Sequence, residues 1–443
     1  MFIGEPPSAA YDLVIVGSGP AGLTLAKRMV DTTEHRILVI ESGRREPVPE
    51  IQRLSRTTAT GDLKSGYFGF HTQRRFGGTS AIWTGICAVL ERRAFLGGDW
   101  PMDYEDLAAY YPQAAEILDI PAASHELPER PLPGTAALVY KPLFITDPVR
   151  FGETHHDLFA DSEQADVLLG HTAVRLSHRR SRVDAVHVCK STGSAAETFE
   201  IRGDRFVVAC GGLANPTLLQ ASGIARDSPV GRCLAEHPHI YGAGSVMLDR
   251  DRVGSLLTEQ PAIHSLALSD ELCLSEGVLS CSFSFKADRE ETALLRGARR
   301  PVIHSQVSIR SEMALRQENR VRLADSPGAG PWPAARIDFR FRHAAELRRA
   351  WLLLSEALVR TGIGRTSVLD EDLEIRGGGH FISTTRMGEN PATSVCDEQC
   401  RVHGMDNLYL AGSSVFAAAG AANPTYTLVA LALRLADHLR LRG

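Results

Sequence analysis

Four β-preferring residues, Leu13-Val14-Ile15-Val16, run straight into Gly17-Ser18-Gly19-Pro20-Ala21-Gly22, and no other stretch narrows the fold as much. A strand apolar on both faces belongs inside a parallel sheet. Residues 23–30, rich in Ala, Leu and Met, read as a helix, and Ile37-Leu38-Val39-Ile40 as a second strand that ends at Glu41. Strand, glycine turn, helix and strand in about 30 residues make a βαβ unit. A G-x-G-x-x-G spacing is weak evidence alone in a chain with 39 glycines, but strong between a strand and a helix. Gly17 suits the tight turn, Gly19 lets the backbone approach a pyrophosphate, and Gly22 lets helix and strand pack closely. Bare N–H groups at the start of the helix attract the negative charge. Glu41 suits the ribose hydroxyls, which favours FAD or NAD over a 2′-phosphorylated dinucleotide.

The remaining chain sets bounds. At ~150 residues per domain, 443 residues make two or three domains or one large interleaved one. Hydrophobic residues at 44% and charged residues at 23% exclude a disordered, fibrous or coiled-coil chain. A net charge of −5 without a basic cluster argues against a nucleic-acid partner. No apolar run reaches the ~18 residues of a membrane span, so no membrane association is expected. Met-Phe-Ile-Gly-Glu-Pro-Pro lacks the basic start and apolar core of a signal peptide. The eight cysteines form no C-x-x-C pair; Cys396 and Cys400, four apart, are expected as buried apolar side chains without metal. A reduced, cytoplasmic location follows as the expectation.

Residues 44–63 read as polar and irregular, 107–118 as helix, and the proline-rich 121–165 as loop. Strands are expected at 166–169, 173–176, 185–189 and 206–210, with a helix at 214–222 after Gly211-Gly212. Residues 240–340 read mainly as strands, for example 303–310 and 335–342, followed by a helix over 343–362. A last strand at 408–411 leads through glycines to a helix over 424–441, whose Leu428, Leu431, Ala432, Leu435 and Leu439 share a core-facing stripe.

Further segments bear on the choice of dinucleotide. Arg74-Arg75-Phe76-Gly77-Gly78-Thr79-Ser80-Ala81-Ile82-Trp83-Thr84-Gly85 suits a phosphate or a flat ring, and residues 207–223 repeat the strand, glycine turn and helix. His380-Phe381-Ile382-Ser383-Thr384-Thr385-Arg386-Met387-Gly388, Arg401-Val402-His403-Gly404, residues 407–416 and Ala422-Asn423-Pro424-Thr425-Tyr426-Thr427 complete the set. Together they resemble the glucose-methanol-choline (GMC) oxidoreductase family over about half of the chain. In residues 77–84 and Trp100-Pro101 the pattern is closest to the pyranose oxidase-like bacterial branch.

The resemblance implies an α/β (α+β) fold: a Rossmann-like FAD-binding domain interleaved with a substrate domain built on an antiparallel sheet covered by helices. It places 1–95, 166–240 and 377–443 in the FAD-binding domain, and 96–165 with 241–376 in the substrate domain. It implies FAD contacts from Gly17, Gly19, Pro20, Ala21, Gly22, Glu41, Ser42, Arg75, Gly78, Thr79, Ser80, Trp83, Val174, Gly412, Ser413, Asn423, Pro424 and Thr425. Ile82 stands where pyranose oxidase carries its flavin-linking histidine, so FAD is expected to be non-covalent.

The implied reaction oxidises an alcohol or sugar hydroxyl, with O₂ or another acceptor taking the electrons afterwards. Hydride leaves an alcohol carbon readily only as the hydroxyl proton is removed, which calls for a base of pKa near neutrality, such as histidine. By alignment with the family that base is His380, and Asn423 orients the oxygen by hydrogen bonding. Asn423-Pro424 also reads as a helix start, with asparagine as N-cap. His237, His239 and His403 read as structural. The alternatives are a non-redox lyase with structural FAD on the same scaffold and a non-catalytic FAD-binding protein.

Overall fold

The structure is a computed structural model that describes every residue except 121–129, 161, 194–196, 258–261, 287–300, 325–331 and 442–443. Tyr11–Val16 pairs in parallel with Ile37–Glu41 on one side and Phe199–Val208 on the other, at the centre of an eight-stranded sheet. Ala165–Leu169 and Phe2–Ile3 extend it past Ile37–Glu41, and Leu408–Leu410 pairs with Phe199–Val208. An antiparallel run through Arg182–Lys190 and His171–Arg179 completes it. Leu13, Val14 and Ile15 are fully buried, as a strand with helices on both faces requires. The helix Pro20–Thr32 packs against the C-terminal helix Pro424–Arg440, which buries Leu431, Ala432, Leu435 and Leu439.

A second, ten-stranded sheet runs Gly364–Thr366, Pro238–Asp249, Val302–Ser311, Cys281–Phe285, Ala262–Leu268, Leu138–Tyr140 and Arg130–Pro131, with short strands attached at its edges. Its pairings are antiparallel. The helix Ala344–Thr361 covers it with Leu347, Trp351, Leu354 and Leu358, and each such buried side chain is worth roughly 1.5–3 kcal/mol. A third sheet joins Arg320–Leu323, Ala335–Phe339 and Thr57–Gly61. The fold class is the expected one: a dinucleotide-type parallel sheet beside an antiparallel sheet with a helical cover.

Several segments depart from the sequence reading. Thr57–Gly61, inside the stretch read as irregular, is a strand parallel to Ala335–Phe339. Leu138–Tyr140 and Leu143–Ile145, read as loop, pair with Ala262–Leu268, and Phe151–Thr154 and Asp157–Ala160 are helical turns. Residues 121–129 and 161 of that stretch lie outside the described residues. The helix read over 107–118 is two, Tyr104–Ala108 and Tyr111–Ile117, because Pro112 has no N–H for a continuous ladder and its ring opposes one. Trp100, Leu107, Tyr111, Leu118, Phe151 and Phe159 pack into the core of the parallel sheet, although the sequence division places them with the substrate domain. Residues 132–140 and 240–369 supply the second core. Among the described residues no helix is long and apolar enough to cross a membrane.

Candidate active site

Between the two main sheets lies a cavity of about 590 Å³, within the ~300–1,000 Å³ of small-molecule sites. The first glycine turn forms one wall. Gly17 has φ +108°, and a Cβ there would sit 2.5 Å from the Ala209 carbonyl oxygen. At Gly22 a Cβ would sit 2.1 Å from the Gly17 oxygen, so Gly22 serves helix-to-strand packing and does not line the cavity. A Cβ on Gly19 would meet nothing within 4 Å. Gly19 is also the N-cap of Pro20–Thr32, with no side-chain cap and no acidic residue in the first turn, so the positive end of the helix is bare. Pro20 and Ala21 line the cavity beside it.

Glu41 is buried where its strand ends. Its carboxylate accepts from Ser18 N (3.1 Å), Ser18 Oγ (2.7 Å) and Gly43 N (2.7 Å), and burial raises its pKa against those donors. Ser42 lines the cavity and accepts through Oγ from Arg74 Nη1 at 3.0 Å. Arg74 is the cavity arginine here. It also donates to Ser55 Oγ at 3.0 Å and lies 4.9 Å from the Trp332 ring centre. Arg75, the expected contact, instead donates to the Arg45 carbonyl and does not line the cavity. Of the two neighbours, Arg74 and not Arg75 lines the cavity.

Gly78, Thr79, Ser80 and Trp83 line the cavity. The turn Gly78–Ala81 packs so closely that a Cβ on Gly78 would lie 2.9 Å from Gly19 Cα. Ser80 Oγ donates to Gly77 O at 2.7 Å, and Trp83 Nε1 to Val149 O at 2.9 Å, which fixes both side chains. Ile82 also lines the cavity. Val174 does not: its strand slips register between Ala173 and Arg175, and Thr172 and Ala173 face the cavity instead.

The C-terminal segment supplies the remaining wall. Gly412, at φ +104°, leaves open space where a Cβ would stand, and Ser413 Oγ donates to the Phe381 carbonyl at 2.8 Å. Asn423, Pro424 and Thr425 line the cavity at the start of the last helix. Asn423 is the N-cap by position, but its side chain makes no capping bond. Its Oδ1 is buried with no partner, so the amide is left to whatever enters the cavity, and the capping half of the expectation fails.

His380 faces the same cavity in a network that the sequence reading missed. Glu236, fully buried, accepts from the backbone N–H groups of His237 (2.8 Å), Gly378 (2.9 Å), Gly379 (2.9 Å) and His380 (3.0 Å), and from the Tyr67 hydroxyl. These bonds hold the glycine-rich approach to His380, and burial pushes the Glu236 carboxyl up to about 7 against their pull. His237, read as structural, bonds His380 Nδ1 to Nδ1 at 2.9 Å, and its Nε2 lies 3.2 Å from the Ala419 carbonyl oxygen.

These partners assign the protons. A carbonyl only accepts, so the proton of neutral His237 sits on Nε2 and its Nδ1 is bare. His380 must then donate through Nδ1–H, which leaves its Nε2 unprotonated. Burial, and after it the neighbouring His237, His239 and Arg310, hold the pKa of His380 well below the ordinary histidine value. His380 is therefore a neutral imidazole with a free lone pair in a cavity wall. His239, also read as structural, stacks edge-on 6.0 Å from His380 and lines the cavity with Tyr241 and Arg310. The Glu236-His237-Pro238-His239 cluster, opening a strand, was the available signal for both. His403 is structural as read, bonded to Ser394 Oγ (2.9 Å) and Gly388 O (3.1 Å). All eight cysteines are free thiols, and Cys396 and Cys400 are buried in the core of the parallel sheet.

The bare helix ends, the open faces at Gly19 and Gly412, the acid at Glu41 and the unpartnered Asn423 amide suit a long dianionic dinucleotide. They define the site of a flavoenzyme of the dinucleotide-fold class. Family models for the GMC oxidoreductases match residues 149–239 and 316–432, and the chain belongs to that family. Among curated relatives, 6'''-hydroxyparomomycin C oxidase of Streptomyces lividus is 25% identical over 98% of this chain and 93% of its own length. Paromamine 6'-oxidase of Streptomyces fradiae is 25% identical over 96% and 90%, and C-glycoside 3-oxidase of Arthrobacter globiformis 29% over 52% and 45%. In fold the chain resembles a formate oxidase of Aspergillus oryzae, with a TM-score of 0.64 at 15% identity over 99% of both chains. Pyridoxine 4-oxidase of Mesorbium loti gives a TM-score of 0.56 at 17% identity over 96% of this chain and 98% of that one. The cofactor is FAD, and the chain is an oxidoreductase acting on a CH–OH group. The relatives do not favour the non-redox alternative.

Proposed function

We propose that this chain oxidises a secondary hydroxyl of a sugar, glycoside or glycosylated natural product to a carbonyl, with His380 as the base. The observation that carries the reading is the bare Nε2 of a neutral His380 in the wall of the cavity that also holds the unpartnered Asn423 amide. His380 Nε2 takes the hydroxyl proton. The Asn423 amide orients the hydroxyl oxygen by hydrogen bonding and cannot itself act as a base. The Glu236 bonds keep the backbone before His380 from drifting, which matters because a misplacement of ~1 Å can cost 10²-fold. FAD, when bound, supplies the hydride acceptor. The first turn of Pro424–Arg440, free of acidic residues, faces the cavity with the positive end of its dipole and favours negative charge there.

The names of the relatives support the glycoside class. Ile82 in the cavity wall, with no nucleophilic atom, supports non-covalent FAD. O₂ or another small acceptor regenerates the enzyme, and the eight free thiols support a reduced cytoplasmic location. Two measurements on purified protein test the core of the reading. His380→Ala should keep its bound yellow FAD yet lose at least ~100-fold in anaerobic flavin bleaching by substrate, the usual lower size of a general-base effect. Near-normal bleaching in that variant removes His380 from the chemistry.

A further inference from the structure

Arg310 lies in Val302–Ser311 directly opposite His239 in the sheet register, and both side chains line the cavity. Each is 7% exposed. The guanidinium donates through Nη1 to Ser284 Oγ at 2.8 Å, and its Nε has no partner among the described residues. No ion pair forms between Arg310 and a carboxylate among the described residues. Two half-buried arginines behave differently: Arg93 pairs with Glu312 at 2.7 Å, and Arg74 is tied to two serines, a carbonyl and an indole face, with Glu41 close by. A guanidinium cannot shed its proton to escape burial, and buried charges are ordinarily paired.

His239 is equally unfinished. Its Nδ1 faces the Tyr241 hydroxyl at 3.2 Å, and its Nε2 is buried without a partner. Burial, then Arg310 and His237, push its pKa down to about 3, so it is a neutral donor or acceptor and no second cation. Among the described residues, the wall next to the base thus presents one positive fork without a carboxylate and one imidazole nitrogen without a partner. Neutral hydroxyls would satisfy the hydrogen bonds but leave the charge uncompensated. A carboxylate satisfies both, because its two oxygens match the guanidinium fork and accept from an imidazole N–H.

We propose that Arg310 and His239 form a carboxylate-binding subsite beside His380, so that the preferred substrates are anionic glycosides of the uronic-acid class. The His239 ring centre is 6.0 Å from that of His380, so the carboxylate and the hydroxyl to be oxidised would belong to the same sugar unit. The position of that hydroxyl rests on the alcohol-oxidation reading above; the charge preference rests on Arg310 alone.

The test is equilibrium binding to the FAD-loaded enzyme, by calorimetry, of four methyl glucosides that differ only at C6: carboxylate, carboxamide, hydroxymethyl and aminomethyl. The carboxylate should bind at least about 30-fold tighter than the carboxamide, the scale of a desolvated charge pair, and the ammonium form weakest of all. In Arg310→Gln the advantage of the carboxylate over the carboxamide should collapse to about threefold or less, whatever the substitution does to the affinity for the neutral glucoside. Arg310→Lys should retain part of it. Equal binding of carboxylate and carboxamide by the unaltered enzyme, or tighter binding of the ammonium form, overturns the subsite without reference to any variant. Anaerobic flavin reduction is recorded in the same series. A carboxylate preference without flavin reduction upholds the subsite and overturns the oxidation reading. Reduction with no preference among the four does the reverse.

Discussion

In His380 the location of a single proton decides whether the side chain can act as a base. The chain of acceptors that settles it runs from the Ala419 carbonyl through His237 to His380 Nδ1, over contacts of 3.2 and 2.9 Å. His237 does not line the cavity and is fully buried, so its role is positioning, and it can be tested without disturbing the cavity wall. Phenylalanine at 237 fills a similar space but gives His380 Nδ1–H no acceptor, so the ring is free to carry its proton on the wrong nitrogen or to rotate. Comparable loss of tautomer control in a serine-protease triad costs ~10⁴ in rate. With no formal charge lost here, His237→Phe should slow anaerobic flavin reduction about 100-fold, with FAD content and substrate affinity little changed. His237→Gln can accept from His380 and donate to Ala419, and should recover to within about tenfold of the native rate. A His237→Phe enzyme reduced at the native rate would show that the lone pair of His380 needs no such control. A purely packing role would lower protein stability in both variants and would not separate them in rate.

At the scale of the element, the glycine turn offers two positions three residues apart with opposite expected behaviour. A Cβ on Gly22 would press to 2.1 Å from a backbone oxygen, so Gly22→Ala must force helix Pro20–Thr32 off the strand. Overpacking of this kind costs ~1–3 kcal/mol and outweighs the ~1 kcal/mol by which alanine favours a helix. Gly19, at φ −72°, tolerates a side chain, and its Cβ would meet no protein atom within 4 Å. Gly19→Ala should therefore leave the stability of the apoprotein unchanged and weaken FAD binding at least tenfold, because the methyl group occupies the approach of the pyrophosphate. Chemical denaturation of the apoproteins and FAD titration separate the two; loss of stability in Gly19→Ala would mean that the turn is built differently. This turn, its flanking strands and the last helix were legible in sequence because each carries its own signal: an apolar run, glycines at fixed spacing, a proline at the helix start. Thr57–Gly61 was not, since its residues are polar, largely exposed, and become a strand only by pairing with Ala335–Phe339 far along the chain. The site divides in the same way. His380 and Asn423 sit in local motifs, whereas His239 and Arg310 acquire their meaning only when the sheet register sets Pro238–Asp249 against Val302–Ser311, and His237 only through its bond to His380. That Arg74 lines the cavity and Arg75 does not, and that Thr172 and Ala173 do so and Val174 does not, is decided by packing and a register slip that adjacent residues do not reveal.

For the whole molecule, the seam between the parallel-sheet core and the antiparallel sheet is lined with histidines that folding holds neutral, and this predicts how the protein fails in acid. His239 is pushed down to about 3 and His155, on the side of the parallel sheet, to about 4, burial being the largest cause in each; His380 lies well below its ordinary value. An unfolded chain titrates these rings near ~6.5. Below that pH it binds protons that the native state refuses, so stability is fully present above about 6.5 and falls as pH drops, by ~1.4 kcal/mol per pH unit for each ring. Glu236, raised to about 7, has the opposite sign: the native state takes its proton first, which offsets roughly one histidine between about 7 and the ordinary carboxylate range. His171, His187, His237, His264 and His343 are lowered in the same direction, and Glu41 and Glu312 are raised with Glu236, so the lowered rings outnumber the raised carboxyls and unfolding takes up protons, at ~1.4 kcal/mol per pH unit for each net proton. Against a usual total of ~5–15 kcal/mol, such an excess is enough to unfold the protein within a few units. Denaturant midpoints of the FAD-loaded enzyme at pH 7.5, 6.0 and 5.0 should fall in that order. His155 is the cleanest probe, since it packs on Phe151 away from the cavity and its Nε2 has no partner. His155→Phe removes one titrating ring, so the slope should flatten by about one proton whatever the variant does to stability at pH 7.5. An unchanged slope would place the acid sensitivity elsewhere, in the carboxylates, and would show that the buried histidines accept protons in the folded state.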